Sequence, residues 1–183
     1  MKHTIMIGLV SIIVLIFDGC ATPGMPGYIS DTVSNFDGSR QINMDPAWLY
    51  NSPMTLALFK NSKMPDSTIV LIAGVKGTHS FSEGKSLHFN IDGKLESFSA
   101  IDNMTDIETA PDFYGSGVYI QASSWSSKRY LITKDFLSRL IKADDVWVRI
   151  ELRKDFVEGR FSSDAPTTAR PSFRDFYDRI EKW

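Results

Sequence analysis

The fold is decided by residues 86–101, which read SLHFNIDGKLESFSAI. Apolar and polar side chains alternate over Ser86–Ile91, which is typical of a strand with one buried face. The inner face would carry Leu87, Phe89 and Ile91, and the outer face Ser86, His88 and Asn90. Asp92-Gly93 follows, and a second extended run continues from Lys94 to Ile101. Two such runs joined at Asp-Gly predict an antiparallel β-hairpin.

A second hairpin is predicted nearer the C-terminus. Asp145–Leu152 alternates strictly, and Lys154-Asp155 turns it into a strand over Phe156–Ser162. The alternation places Val146, Val148, Ile150 and Leu152 inward and Trp147, Arg149 and Glu151 outward.

Two helices are predicted late in the chain. Thr133 stands where an N-cap is expected, and the helix that follows it ends near Ala143. The second helix runs from about Ala169 to Lys182. Its apolar stripe consists of Phe173, Phe176, Tyr177, Ile180 and Trp183. A stripe this aromatic, beside a polar face of mixed charge, indicates a helix that packs on a sheet.

Elsewhere the sequence predicts strands and loops. The acidic segment Asp102–Gly117 is expected to be a loop, and Ser123–Ser127 a turn. Further strands are expected at Arg40–Met44 (limited by Pro46), Thr55–Lys60, Thr68–Val75, Val118–Ser123 and Arg129–Ile132. We therefore predict an α+β fold, a mostly antiparallel β-sheet or small β-sandwich of about eight strands with two late helices.

The N-terminal segment has the layout of an export signal. The apolar run Ile5–Phe17 has the length of a signal core and is too short for a spanning helix, which needs about 20 apolar residues. The run is followed by Asp18-Gly19 and by Cys20, the only cysteine in the chain. We expect an export signal over residues 1–19, a flexible linker over 20–28, and one β-rich domain over 29–183.

This segment resembles a bacterial lipoprotein signal peptide, because a basic start, an apolar core and a small residue precede a lone cysteine. Gly19 and Cys20 fit the pattern, whereas Phe17 and Asp18 depart from it. The resemblance implies that the signal, residues 1–19, is cleaved before Cys20, and that Cys20 is lipidated and anchors the protein in the cell envelope. It also implies that Ala21 directs the protein to the outer membrane, with the domain facing the periplasm.

Charge and cysteine content narrow the function classes. The formal net charge is −2, and removal of residues 1–19 leaves it at −2 because Lys2 and Asp18 cancel. Nucleic-acid binders show a strong basic excess, so no nucleic-acid partner is expected. With a single cysteine the chain forms no internal disulfide, and its core must carry the stability. The sequence indicates no cofactor.

Few residues suggest catalysis or metal binding. His79, Glu83 and His88 are weak candidates for zinc ligands, since imidazole and carboxylate groups bind that metal. Their spacing is not that of a helical motif, and two surface histidines are the simpler interpretation. No catalytic set is predicted, because no nucleophile is marked by its context.

Two groups of residues are candidates for a recognition surface. Trp125 and Tyr114 are the aromatic residues least explained by periodicity, and exposed aromatic residues are enriched at interfaces. Arg149, Arg160 and Arg170 would form an anion or partner site, with a solvated charge ladder as the alternative.

The sequence thus favours a lipid-anchored periplasmic protein that acts as a non-enzymatic binding or envelope-assembly module. Its partners would be the membrane, through the anchor, and an envelope protein. One alternative is a hydrolase or metal-dependent enzyme that uses His79 or His88. Another is a purely structural envelope protein.

Overall fold

The computed structural model describes residues 27–113, 120–162 and 169–183. Within those ranges the chain forms ten strands and two helices. The strands are β1 (Ile29–Val33), β2 (Arg40–Trp48), β3 (Met54–Asn61), β4 (Thr68–Lys76), β5 (Lys85–Ile91), β6 (Lys94–Ser99), β7 (Asp106–Phe113), β8 (Ile120–Thr133), β9 (Val146–Glu151) and β10 (Phe156–Arg160). The helices are α1 (Lys134–Lys142) and α2 (Ala169–Ile180). The predicted signal, Cys20 and Tyr114 lie outside the described residues, so what the sequence predicts of them stays a prediction.

The strands form two antiparallel sheets. The larger has the order β1-β2-β3-β4-β8-β7, and the smaller has the order β10-β9-β5-β6. Side chains from both sheets and both helices share one buried apolar cluster. The C-terminal helix α2 packs on β2 and β3. These observations confirm the predicted α+β class with a mostly antiparallel sheet and a helix packed on it.

Both predicted hairpins are present. β5 pairs with β6 across a two-residue turn in which Asp92 and Gly93 both have positive φ, 49° and 85°. That backbone matches a type I′ turn, for which Asp-Gly is a preferred sequence. β9 pairs with β10, and Val146, Val148 and Ile150 point into the core as predicted.

The helices begin where the sequence predicts, although one end differs. Thr133 is the N-cap of α1, and its hydroxyl accepts from the Phe136 N–H at 3.1 Å. In α2 the residues Phe173, Phe176 and Ile180 are buried. The helix ends at Ile180, so Trp183 lies beyond it and remains 38% exposed.

The predicted loop is wrong over Asp106–Phe113, and the predicted turn at Ser123–Ser127 is also wrong. Residues 114–117 of the predicted loop lie outside the described residues. Asp106–Phe113 forms the edge strand β7, and β8 runs unbroken for 14 residues. β8 pairs with β4 on one side and with β7 on the other, so its serine-rich part has backbone partners. An edge strand exposed to water carries polar and charged residues on both faces. Its sequence therefore lacks the alternation of apolar and polar residues that predicts a strand.

Two β-bulges explain where the structure departs from the predicted strands. β2 continues through Pro46 because the register shifts there, between Met44 and Ala47. A second shift in β5 adds a residue at Ser86. Ser86 is therefore fully buried rather than on the outer face.

Three aromatic rings join the smaller sheet to α1. The ring centroids of Phe89 and Phe136 lie 5.2 Å apart, and Phe98 lies 4.7 Å from Phe136 and 5.9 Å from Phe89. All three contacts are edge-to-face, the arrangement that aromatic quadrupoles favour. Phe89 and Phe136 are buried, so this cluster fixes the position of β5 against the helix.

Buried polar side chains of β8 hold the segment that crosses from the larger sheet to the smaller one. Ser126 Oγ donates to Gly77 O at 2.9 Å and accepts from the His79 N–H at 2.8 Å. Lys128 Nζ donates to Ser82 O at 3.3 Å. Tyr130 Oη is hydrogen-bonded to Ser86 Oγ at 2.9 Å. Alternate residues of a strand share one face, so these three side chains form a row against the crossing segment. The row is a structural device that positions β5.

Tyr130 makes the stability of this row depend on pH. Burial raises the pKa of Tyr130 to about 12 from an ordinary value of 10.0. The neutral phenol is thus favoured by folding, and its contribution is present below pH 10 and lost as the pH rises toward 12. Between pH 10 and pH 12 the free energy of unfolding falls by about 1.4 kcal/mol for each pH unit.

We expect Tyr130→Phe to destabilise the fold by about 1–3 kcal/mol at pH 8, since Ser86 Oγ is left buried without its partner. The difference in free energy of unfolding between wild type and Tyr130→Phe should be smaller at pH 11 than at pH 8. Urea unfolding at both pH values measures this difference. Ser86→Ala and the double variant complete a double-mutant cycle for the hydrogen bond. A difference that does not change with pH would contradict this role of Tyr130.

Candidate functional site: the outer face of the smaller sheet

The outer face of the smaller sheet is the surface of this sheet that points away from the core. Strand register fixes its side chains in two rows. The first row, from β6 to β10, is Leu95, Asn90, Trp147 and Arg160. The second row is Ser97, His88, Arg149 and Glu158. Directly opposed residues on antiparallel strands have Cβ atoms about 5 Å apart, so each row is a continuous line of contacts.

The outer face is concave and chemically mixed. The concavity has a volume of about 620 Å³, within the range of small-molecule sites. It is lined by His88, Asn90, Leu95, Trp147, Arg149, Glu151 and Glu158. Leu95 is 71% exposed and Trp147 is 46% exposed. Large apolar side chains thus stand in water beside groups that donate and accept hydrogen bonds.

Arg149 is held at the centre of this face. Its Nε donates to Glu158 Oε1 at 2.7 Å, and its guanidinium carbon lies 4.2 Å from the centroid of the Phe156 ring. Glu151 lies 3.7 Å from the NH1 atom of the same guanidinium. The hydrogen bond with Glu158 raises the pKa of Arg149, which remains charged. A cation held by a carboxylate and an aromatic ring is oriented before any ligand arrives.

His88 is also oriented. Its Nδ1 lies 2.7 Å from Ser97 Oγ on the neighbouring strand, and the side chain is half-buried. Within the described residues only Nδ1 has a hydrogen-bond partner, so Nε2 is the ring nitrogen that we expect to interact with a ligand.

The structure does not bring the candidate zinc ligands together. His79 lies in the crossing segment, where its Nε2 is 3.1 Å from Lys76 O, while His88 lies on the outer face. Among residues 27–113, 120–162 and 169–183, no group of three or more His, Cys, Asp or Glu side chains is placed to hold a metal ion. Glu83 is exposed in the crossing segment.

The recognition residues that the sequence singled out are dispersed. Arg149 and Arg160 lie on the outer face, where Arg160 Nε is 3.4 Å from Asp145 Oδ1. Arg170 instead donates to the Ile141 and Ala143 carbonyls at the end of α1. Trp125 lies in β8 of the larger sheet, with its ring centroid 5.1 Å from that of Trp48. Tyr114 is outside the described part of the chain.

Alternation in the sequence predicts which side chains of the site point outward, but it does not predict that they lie together. It placed His88, Asn90, Trp147 and Arg149 on outward positions of two separate hairpins. What brings them together is the pairing of β5 with β9, in which His88 faces Arg149 and Asn90 faces Trp147. That pairing joins strands more than 50 residues apart, and no local pattern in the sequence specifies it.

Comparisons with known proteins give no match, whether to a protein-family model, to a curated protein or to a solved structure. In the part of the chain that the structure describes, neither helix has the length and apolar character needed to span a bilayer.

Proposed function

We propose that this chain is a lipid-anchored protein of the bacterial envelope that acts as a non-enzymatic binding or assembly module. The outer face of the smaller sheet is its recognition surface. The observation that carries the proposal is Trp147, which stands 46% exposed in a concavity whose other side chains are fixed by strand register.

The energetics of interfaces support this assignment. A few residues provide most of the binding free energy, and they are enriched in tryptophan, tyrosine and arginine. Trp147 and Arg149 are two residues apart on β9 and share one face. Since Arg149 is already oriented by Glu158 and Phe156, a ligand loses little free energy in ordering it.

One observation favours the alternative of a hydrolase. The contact of Ser97 Oγ with His88 Nδ1, at 2.7 Å, has the geometry of a nucleophile and a base. Catalytic histidines are also oriented by a third group on the other ring nitrogen. Within the described residues no hydrogen bond gives His88 such a partner, and binding is therefore the function we put first.

The anchor is tested by replacing Cys20 with serine. In the lipoprotein family the cysteine sulfur and the new amino group carry the acyl chains, and several chains anchor a protein stably. We expect wild type in the membrane fraction and the Cys20→Ser protein in the soluble fraction, with the domain folded. Fractionation followed by circular dichroism measures both. A Cys20→Ser protein that stays in the membrane fraction after high-salt washing would contradict lipid anchoring.

The recognition surface is tested by photocrosslinking in intact cells. A crosslinker on the outer face should form adducts with the ligand. A crosslinker at Leu131 should not, although Leu131 is 52% exposed on β8 of the larger sheet.

A further inference from the structure

We propose that the ligand of the outer face is an uncharged carbohydrate chain. This inference rests on the proposed function, because it names the chemistry of what the same surface binds. Three features of the surface support a neutral sugar: the mixture of groups in the concavity, its charges, and its position on the face of a sheet.

The mixture of groups matches a sugar. A pyranose ring has an apolar side of C–H groups that packs on an aromatic ring, whose face carries partial negative charge. Its hydroxyl groups each donate and accept hydrogen bonds, so they match a set of mixed donors and acceptors. Trp147 and Leu95 supply the apolar contact, and Asn90 lies between them in the same row. His88, Arg149 and Glu158 supply polar groups in the next row.

The charges favour a neutral ligand. Arg149 forms ion pairs with Glu158 at 2.7 Å and with Glu151 at 3.7 Å. A phosphate- or sulfate-rich polymer would meet these two carboxylates and would have to compete with Glu158 for the guanidinium. A neutral chain leaves the ion pairs intact and uses their remaining lone pairs and N–H groups.

The polarity of the concavity and its position on the face of a sheet argue against an acyl chain and against a peptide as the ligand. An acyl chain in the concavity would bury polar side chains without partners, at a cost in free energy. A peptide that adds to a sheet uses the backbone groups of an edge strand, whereas this surface is formed by side chains on a face. The four strands are spaced about 4.8 Å apart, so each row is roughly 14 Å long, which gives an elongated ligand room to lie along the rows.

The test uses the full processed protein in a detergent without a sugar headgroup. The probes are tetrasaccharides of glucose, galactose, mannose and N-acetylglucosamine, with heparin fragments as the anionic comparison. We expect saturable binding of at least one neutral tetrasaccharide by calorimetry, and no competition by heparin. Trp147→Ala should weaken that binding about tenfold or more. Leu131→Ala should bind as wild type does, and the thermal midpoint of both variants should lie within about 5 °C of the wild-type value.

The outcomes separate this inference from the proposed function. If no neutral tetrasaccharide binds but crosslinkers on the outer face give protease-sensitive adducts in cells, the ligand is a protein. The carbohydrate inference then fails and the binding role stands. If heparin alone binds, or if Trp147→Ala binds sugar as wild type does, the inference also fails. If neither sugar binding nor adducts are found, both proposals fail.

Discussion

Replacing Phe89 with alanine is expected to lower the free energy of unfolding by about 3–5 kcal/mol. Phe89 is fully buried on the inner face of β5, and its ring contacts those of Phe98 and Phe136. The substitution removes apolar area from the core, leaves a cavity, and breaks two edge-to-face contacts. These contacts join the smaller sheet to α1. The substitution therefore weakens the packing that holds the smaller sheet, and with it the outer face, in place.

Urea denaturation monitored by circular dichroism measures this effect. The matched control is Leu95→Ala on the same hairpin, where the side chain is 71% exposed and the expected change is within about 0.5 kcal/mol. A loss below about 1 kcal/mol for Phe89→Ala would show that the cluster does not carry the packing assigned to it.

The local parts of the fold were predictable because each depends on neighbouring residues. Asp92-Gly93 specifies a two-residue turn, and Thr133 specifies the start of a helix, through interactions within a few residues. β7 escaped prediction because an exposed edge strand has little alternation. The composition of Ser123–Ser127 favours a turn, but pairing with both β4 and β7 makes the segment a strand.

The candidate site was predictable only as separate faces. Alternation placed Trp147 and Arg149 outward on one hairpin and His88 outward on the other. Their juxtaposition depends on the β5–β9 pairing. Trp125 is a recognition candidate in the sequence because periodicity does not explain it, whereas in β8 it is half-buried against Trp48. The sequence predicts Arg170 in one site with Arg149 and Arg160, whereas in the structure it donates to carbonyls at the end of α1.

Trp147→Ala is expected to remove most of the binding while leaving the fold intact. Truncation of a central interface tryptophan typically costs 2 kcal/mol or more, which is about a thirtyfold loss of affinity. The side chain is 46% exposed and faces away from the core, so the free energy of unfolding should fall only by about 1 kcal/mol, the cost of its cross-strand contacts and strand propensity. A large effect on binding with a small effect on stability is what distinguishes a recognition residue from a packing residue.

The most direct measurement is the yield of adducts from a photocrosslinker placed at Leu95, with Trp147 present or replaced by alanine, in cells that carry the anchored protein. Leu95 and Trp147 flank Asn90 on the outer face, so the crosslinker reports on the same concavity. The proposed function predicts abundant adducts with Trp147, a loss of most of them in Trp147→Ala, and none from Leu131. Equal yields with and without Trp147 would contradict it, as would adducts only from Phe36, which is 99% exposed on the β1–β2 turn.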